Sequence, residues 1–288
     1  MASTVSKVVA TIATRPQFAR FLHDALLPRG VTVVDLPSSD LEMFQCSLHE
    51  PVEFGDWISI GGIEVPAHAL AASYSEGYID RKDRSFDEAQ VFRDAEVSAA
   101  IAFVRQCCGT PLNPPWNGSI GPFADSLPVQ WEAMRNPALG VSAPRWTLTQ
   151  TSEVTPDTLI IRNPYCYQYN QATETARGGG SEKRPVIALM SPLRGAHFLV
   201  IFIGDRLFAV LDNGSGWSPL NLRPILREGI RSCVIASRRH FGIDIGQLEL
   251  FFDGSLTFWS VCPYPCPWYL KDDELTAFKV ALAEFTMH

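Results

Sequence analysis

The most informative pattern of apolar and polar positions lies between His197 and Pro263. Two runs of β-branched and aromatic residues, Phe198 to Ile203 and Leu207 to Leu211, flank Gly204-Asp205-Arg206, a turn composition that predicts an antiparallel hairpin. Downstream, Leu222, Ile225, Ile230, Val234 and Ile235 recur at helical spacing, and Gly242 stands where a C-terminal cap belongs. Two more strands, Gln247 to Phe252 and Leu256 to Pro263, are joined by Asp253-Gly254, and a last helix follows. Hairpin, long helix, hairpin, helix is the predicted order here.

At the other end, Lys7 to Thr14 reads as a strand, Pro16 to Leu27 as a helix closed by Arg29-Gly30, and Val31 to Leu36 as a second strand. This βαβ start predicts a parallel sheet. In the turn-rich stretch 55–84, DWISIGGIEVP reads as a short strand pair and ALAASYSEGYIDRKDR as an irregular connection. Ser85 then caps a helix with Phe86, Val91, Phe92, Val97, Ala100, Ile101 and Val104 on one face, running to Gly109. Pro114-Pro115 cannot continue a helix, so the first lobe ends near there. A helix over 127–139, ended by Gly140, leads to strands at Trp146 to Gln150, Thr158 to Arg162 and Val186 to Met190. Gly178, Gly179 and Gly180 lie between the last two. Alone they read either as a flexible hairpin tip or as a loop whose N–H groups close over phosphate oxygens.

Composition narrows the function classes. A chain of 288 residues with 46% hydrophobic content supports two or three packed lobes. Net charge is −7, and only five of the 24 basic residues are lysines, so no basic face for nucleic acid is expected. The N-terminal apolar run is broken at Arg15-Pro16, too early for a secretory signal or a membrane span, and a cytoplasmic protein with no membrane partner is expected. Seven cysteines at irregular spacing fit reduced thiols. Cys262 and Cys266 offer a thiolate pair for metal or redox use, but no second pair completes a tetrahedral set. Ser-His-Asp, GxGxxG, Walker and HExxH signatures are lacking.

The order of the C-terminal elements, with Asn113-Pro114, the following helix, and Gly140, Pro144 and Thr147 leading into a strand, resembles the ATP-grasp superfamily. The likeness is to ligases that modify peptides or protein tails, graspetide macrocyclases among them. It implies an α/β, ATP-grasp-like fold: an N-terminal βαβ pre-ATP-grasp domain over 1–115, a small central antiparallel lobe over 116–193, and a C-terminal α+β lobe over 194–288. It also implies ATP and Mg2+ as cofactors, and chemistry in which a carboxylate becomes an acyl phosphate that an amine or hydroxyl displaces. Cations must offset the triphosphate as the γ-phosphoryl group leaves.

By that resemblance Arg162 stands at the family's strand lysine, although a planar guanidinium differs from a lysine point charge. Gly178, Gly179 and Gly180 form the flap, Lys183 is a second phosphate-binding cation, and Met190 joins the cofactor-binding set. The family's earlier lysine has no counterpart, since 83–182 contains no lysine and Gln130 is nearest. Glu249 matches the metal ligand of the penultimate strand. The Glu-x-Asn of the last strand falls on Ser260-Val261-Cys262, where serine is a weak ligand and cysteine too soft for magnesium. Arg206 and Arg223, with Arg194 and His197, stand where such ligases bind an acceptor carboxylate, though each also reads as a solvated or packing residue. Trp217 either covers a ligand or fills an apolar gap. The leading reading is a degenerate ATP-grasp protein that binds a peptide, partner subunit or nucleotide without ordinary ligase turnover; the alternative is an active ATP-dependent carboxylate–amine ligase with an atypical nucleotide site, and a third is a thiol-based metal or redox module. The expected partner is a peptide or protein, and a homodimer or heteromer fits the chain equally.

Overall fold

Every residue of the apolar pentapeptide Val8–Ile12 (β1) is buried, as an inner strand of a parallel sheet requires. The computed structural model describes residues 7–49, 51–75, 88–113, 125–150, 153–155, 158–161, 163–165, 167–176, 185–190 and 193–287. They divide into two compact units: Met1–Phe123 with Gly242–Ile245 and Leu275–His288, and Ala124–Phe241 with Gly246–Glu274.

In the first unit, β1 leads into α1 (Pro16–Leu26), which opens on a proline and buries Phe18, Leu22 and Leu26. Gly30, at φ 69°, closes the turn that follows. Next come β2 (Thr32–Leu36) and an antiparallel trio, β3 (Gln45–Ser47), β4 (Trp57–Ile60) and β5 (Ile63–Pro66). The strand pair expected within DWISIGGIEVP is present, but the irregular connection expected after it is corrected over its first residues, and 76–84 lie outside the described residues. Leu70–Ser75 is a strand, β6, paired in parallel with β1. Its small residues are mostly buried on both faces, so no period-two alternation announces it. The helix expected from Ser85 is seen as α2 (Glu88–Cys107), with Ile101 and Val104 buried; Ser85 and Phe86 lie outside the described residues. A short edge strand, β7 (Thr110–Leu112), completes a parallel sheet of order β2-β1-β6-β7. An edge position tolerates Pro111, which has no N–H to donate.

The second unit opens with α3 (Leu127–Met134); the rest of the helix expected to residue 139 is a separate turn, Pro137–Leu139. A first sheet, in the order β10-β9-β11-β8, is built from β8 (Trp146–Gln150), β9 (Leu159–Ile161), β10 (Thr173–Thr175) and β11 (Pro185–Leu189). Its H-bonded pairs run antiparallel, and the one-turn helix α4 (Tyr169–Ala172) precedes β10. The second sheet comprises β12 (Ala196–Ile203), β13 (Arg206–Asp212), β14 (Trp217–Pro219), β15 (Ile245–Phe252) and β16 (Leu256–Cys262), in the order β14-β13-β12-β15-β16. Both predicted hairpins are in it, and the Trp217 loop contains an added strand, β14, paired with β13. Between them runs α5 (Pro224–Phe241), with Arg238, Arg239 and His240 in its last turn and Gly242 at φ 63° just beyond, an arrangement suited to a helix C-terminus. The last helix, α6 (Asp272–Met287), belongs from Leu275 onward to the first unit, where its Phe278 meets Phe21 at a ring distance of 5.4 Å.

Candidate functional site

The hairpin of β12 and β13 pairs Ile203 with Arg206 at its turn and Phe198 with Leu211 five residues along. One step further, at the open end, the next residues are His197 and Asp212, and their side chains meet: His197 Nδ1 lies 3.2 Å from Asp212 Oδ2. On the far side of the imidazole, Nε2 lies 2.6 Å from Glu249 Oε1 on the neighbouring strand β15. The main-chain N–H of Tyr169, first residue of α4, donates to both oxygens of Glu249 at 3.1 Å. Asp212 in turn accepts from the Gly214 N–H at 2.8 Å. The result is a line of acid, imidazole and acid.

Rings hold this line in place. The imidazole stacks on Phe251 at 4.6 Å and an interplanar angle of 9°, and meets the edge of Trp217 at 5.3 Å. Phe251 lies two residues beyond Glu249, on the same face of β15, as the strand period requires. Tyr169 sets its ring edge-on to Phe251 and Trp259, each at 5.0 Å. Trp217 therefore packs on the histidine, and also meets Tyr269 at 5.4 Å. Gly195 precedes β12 at φ 91°, and a side chain there would run into the carbonyl of Phe252.

The electrostatics follow from the contacts. Burial alone would lower the pKa of His197, but the hydrogen bonds and charges of Glu249 and Asp212 together raise it. Burial raises the pKa of Glu249, against the opposing pull of His197 and the Tyr169 N–H. The pair thus holds its proton more tightly than either group would in water.

Opposite Glu249 on β16 stands Ser260. Its hydroxyl donates to the Tyr167 carbonyl at 2.7 Å, which also accepts from Trp259 Nε1 at 3.0 Å. Cys262 and Cys266 turn their thiols to one oxygen, the Tyr264 carbonyl, at 3.7 and 3.8 Å. Magnesium demands several hard oxygens in octahedral array. Here both Glu249 oxygens accept protein hydrogen bonds, Ser260 points its proton at a carbonyl, and Cys262 is soft. Among the described residues no group of three or more His, Cys, Asp or Glu side chains could hold a metal ion. Among the described residues, those at this position do not fit magnesium.

Other expected site residues fall elsewhere. Gln130 clamps β16, donating to the Val261 carbonyl at 3.1 Å and accepting from the Val261 N–H at 2.8 Å. Arg206 is exposed at the turn end of its hairpin, about 20 Å along the strand from His197 at about 3.3 Å per residue. Arg223 is exposed just before α5, Arg194 is exposed before β12, and Met190 is 67% exposed after β11. Arg162, Gly178, Gly179, Gly180 and Lys183 lie outside the described residues. Asp212 and Tyr169 were not singled out by sequence. The hairpin register held the signal for Asp212, whereas a main-chain donor such as that of Tyr169 carries no residue code.

This architecture is the ATP-grasp fold, in the form seen in graspetide ligases. No protein-family model matches the sequence, and no curated protein matches it. Among solved structures, the chain is similar to the macrocyclase MdnC of Microcystis aeruginosa bound with precursor peptide MdnA, at 12% identity and TM-score 0.69, over 98% of this chain and 99% of that one. It is similar to the ATP-grasp ligase PsnB complexed with a precursor peptide and AMPPNP, at 16% identity and TM-score 0.67, over 99% of each chain. A third is a Chryseobacterium gregarium RiPP-associated ATP-grasp ligase in complex with ADP and a leader and core peptide, at 8% identity and TM-score 0.63, over 96% of this chain and 95% of that one.

Proposed function

We propose that the chain is an ATP-dependent ligase that joins a carboxylate to an amine or hydroxyl on a peptide or protein tail, from an atypical nucleotide site. The observation that carries this reading is end-to-end likeness to ligases bound to precursor peptides, over 98% of this chain for MdnC and 99% for PsnB. In the proposal the lobes are 1–115, 116–193 and 194–288. Arg162, Lys183 and the backbone of Gly178 to Gly180 offset the triphosphate charge, Met190 borders the nucleotide, and the exposed Arg206 and Arg223 receive an acceptor carboxylate. A second reading, a peptide binder without turnover, is supported by one contact: Glu249 is already engaged by His197 and Tyr169.

Calorimetric titration of ATP and of ADP, each with and without magnesium, tests the ligase reading. Nucleotide binding that weakens at least about tenfold in Arg162→Ala is expected, as for loss of a charge-assisted contact of about 1.4 kcal/mol or more. No heat in any condition would remove the ligase reading and leave the binder.

A further inference from the structure

We propose that His197 takes the place of the metal at this site: its ring, clasped by Asp212 and Glu249, occupies the side of the carboxylate where the resemblance expects magnesium, and Glu249 takes no divalent ion. The inference applies under either reading of the function. It starts from the two ring nitrogens. Each faces a carboxylate oxygen, at 3.2 and 2.6 Å. Each contact needs a proton between nitrogen and oxygen, so the ring and the two acids together hold two protons, and Glu249 is neutralised whether its shared proton rests on Nε2 or on Oε1.

The ring is also held where it stands. Phe251 stacks on one face and the Trp217 edge closes on it, so a rotation that vacates the space beside Glu249 would break two aromatic contacts. Glu249 has a further donor in the Tyr169 N–H. A carboxylate with a side chain only 5% exposed is costly unless paired and hydrogen-bonded, and it is both. A metal at this position would have to displace His197, and the histidine is already held by two carboxyl groups and two rings. Ser260, opposite Glu249, and Cys262, opposite Gln247, supply no hard anionic oxygen to repay that displacement.

Removal of the histidine should uncover a metal site. Asp212 and Glu249 would then face a common space with no countercharge, a setting that draws a hydrated divalent ion. The experiment titrates Mn2+ into the full chain, reading free Mn2+ by electron paramagnetic resonance. Uptake at the site is defined as the part lost on Glu249→Gln. The wild-type chain is expected to show no such uptake up to millimolar Mn2+. His197→Ala and His197→Gln are each expected to gain affinity at least tenfold, and Glu249→Gln added to either should abolish the gain.

Wild-type uptake sensitive to Glu249→Gln would overturn the proposal. So would the absence of any gain in a His197 variant whose thermal transition shows it folded. Should both variants fail to fold, the wild-type titration decides alone. Neither nucleotide nor peptide is used, so a failure to bind ATP would remove the ligase reading and leave this result standing.

Discussion

Each of the two units buries a charge, and the two are satisfied in opposite ways. In the first, the Arg105 guanidinium is fully buried and held by neutral oxygens: Nε donates to Ser73 Oγ at 3.2 Å, and Nη2 to the Leu112 and Asn113 carbonyls at 3.1 and 2.9 Å. Burial lowers its pKa to about 10, still cationic at neutral pH. In the second, Glu249 is met by an ionisable partner, which is met by another. Side-chain exposure rises along that line, from 5% at Glu249 through 13% at His197 to 29% at Asp212. Carbonyls around a buried charge hold the end of β7 to α2 and carry no proton to exchange. A graded series of ionisable groups connects the interior to solvent, and only the second arrangement can exchange a partner.

The contrast can be broken most forcefully at Arg105. Arg105→Met strands buried carbonyls and the hydroxyl it now satisfies, and a loss of about 3–5 kcal/mol in unfolding free energy is expected from urea denaturation. Glu249→Ala should cost less, about 2–3 kcal/mol in the same measurement, because Tyr169 loses its acceptor while His197 keeps Asp212. If the two losses are equal, the distinction between a fixed and an exchangeable charge fails.

Asp56 is an intermediate case, a buried carboxylate accepting from the His49 and Glu53 N–H groups at 3.0 and 2.7 Å and paired with the exposed His49 ring at 2.6 Å. These contacts, the His49 N–H foremost, lower its pKa to about 2, and the hydrogen bond to Asp56 raises that of His49. A depressed carboxylate adds stability above its unfolded pKa, near 4, that is lost as pH falls toward 2. A raised histidine adds stability below its unfolded pKa, near 6.5, that is lost as pH rises through the folded value. Denaturation of the wild-type chain and of Asp56→Asn across pH 2–9 should therefore differ most between about pH 4 and 6.5. Smallest of all, Arg223→Ala removes an exposed side chain, and its unfolding free energy should stay within about 0.5 kcal/mol of wild type.

How much of this was legible depended on what carried the signal. Both hairpins and the long helix were, because apolar periodicity and the turns at Gly204-Asp205 and Asp253-Gly254 are local. β6 was not, since Leu70–Ser75 is buried by its neighbours on both sides and shows no alternation of its own. The pairing of His197 with Asp212 was implicit in the predicted turn, whereas its contact with Glu249 depends on β12 lying beside β15, a long-range choice no local pattern encodes. Arg105 looked like any helix-end arginine, and its burial comes with contacts to β6 and to the end of β7, through Ser73 and the Leu112 and Asn113 carbonyls.

Gly195 gives that long-range choice a mark in the sequence. Because a side chain there would strike the Phe252 carbonyl, the start of β12 can lie against the end of β15 only while the position stays glycine. Among relatives, then, lineages that retain the histidine–glutamate contact should retain this glycine, and those that lose it should be free to drift at all three positions together.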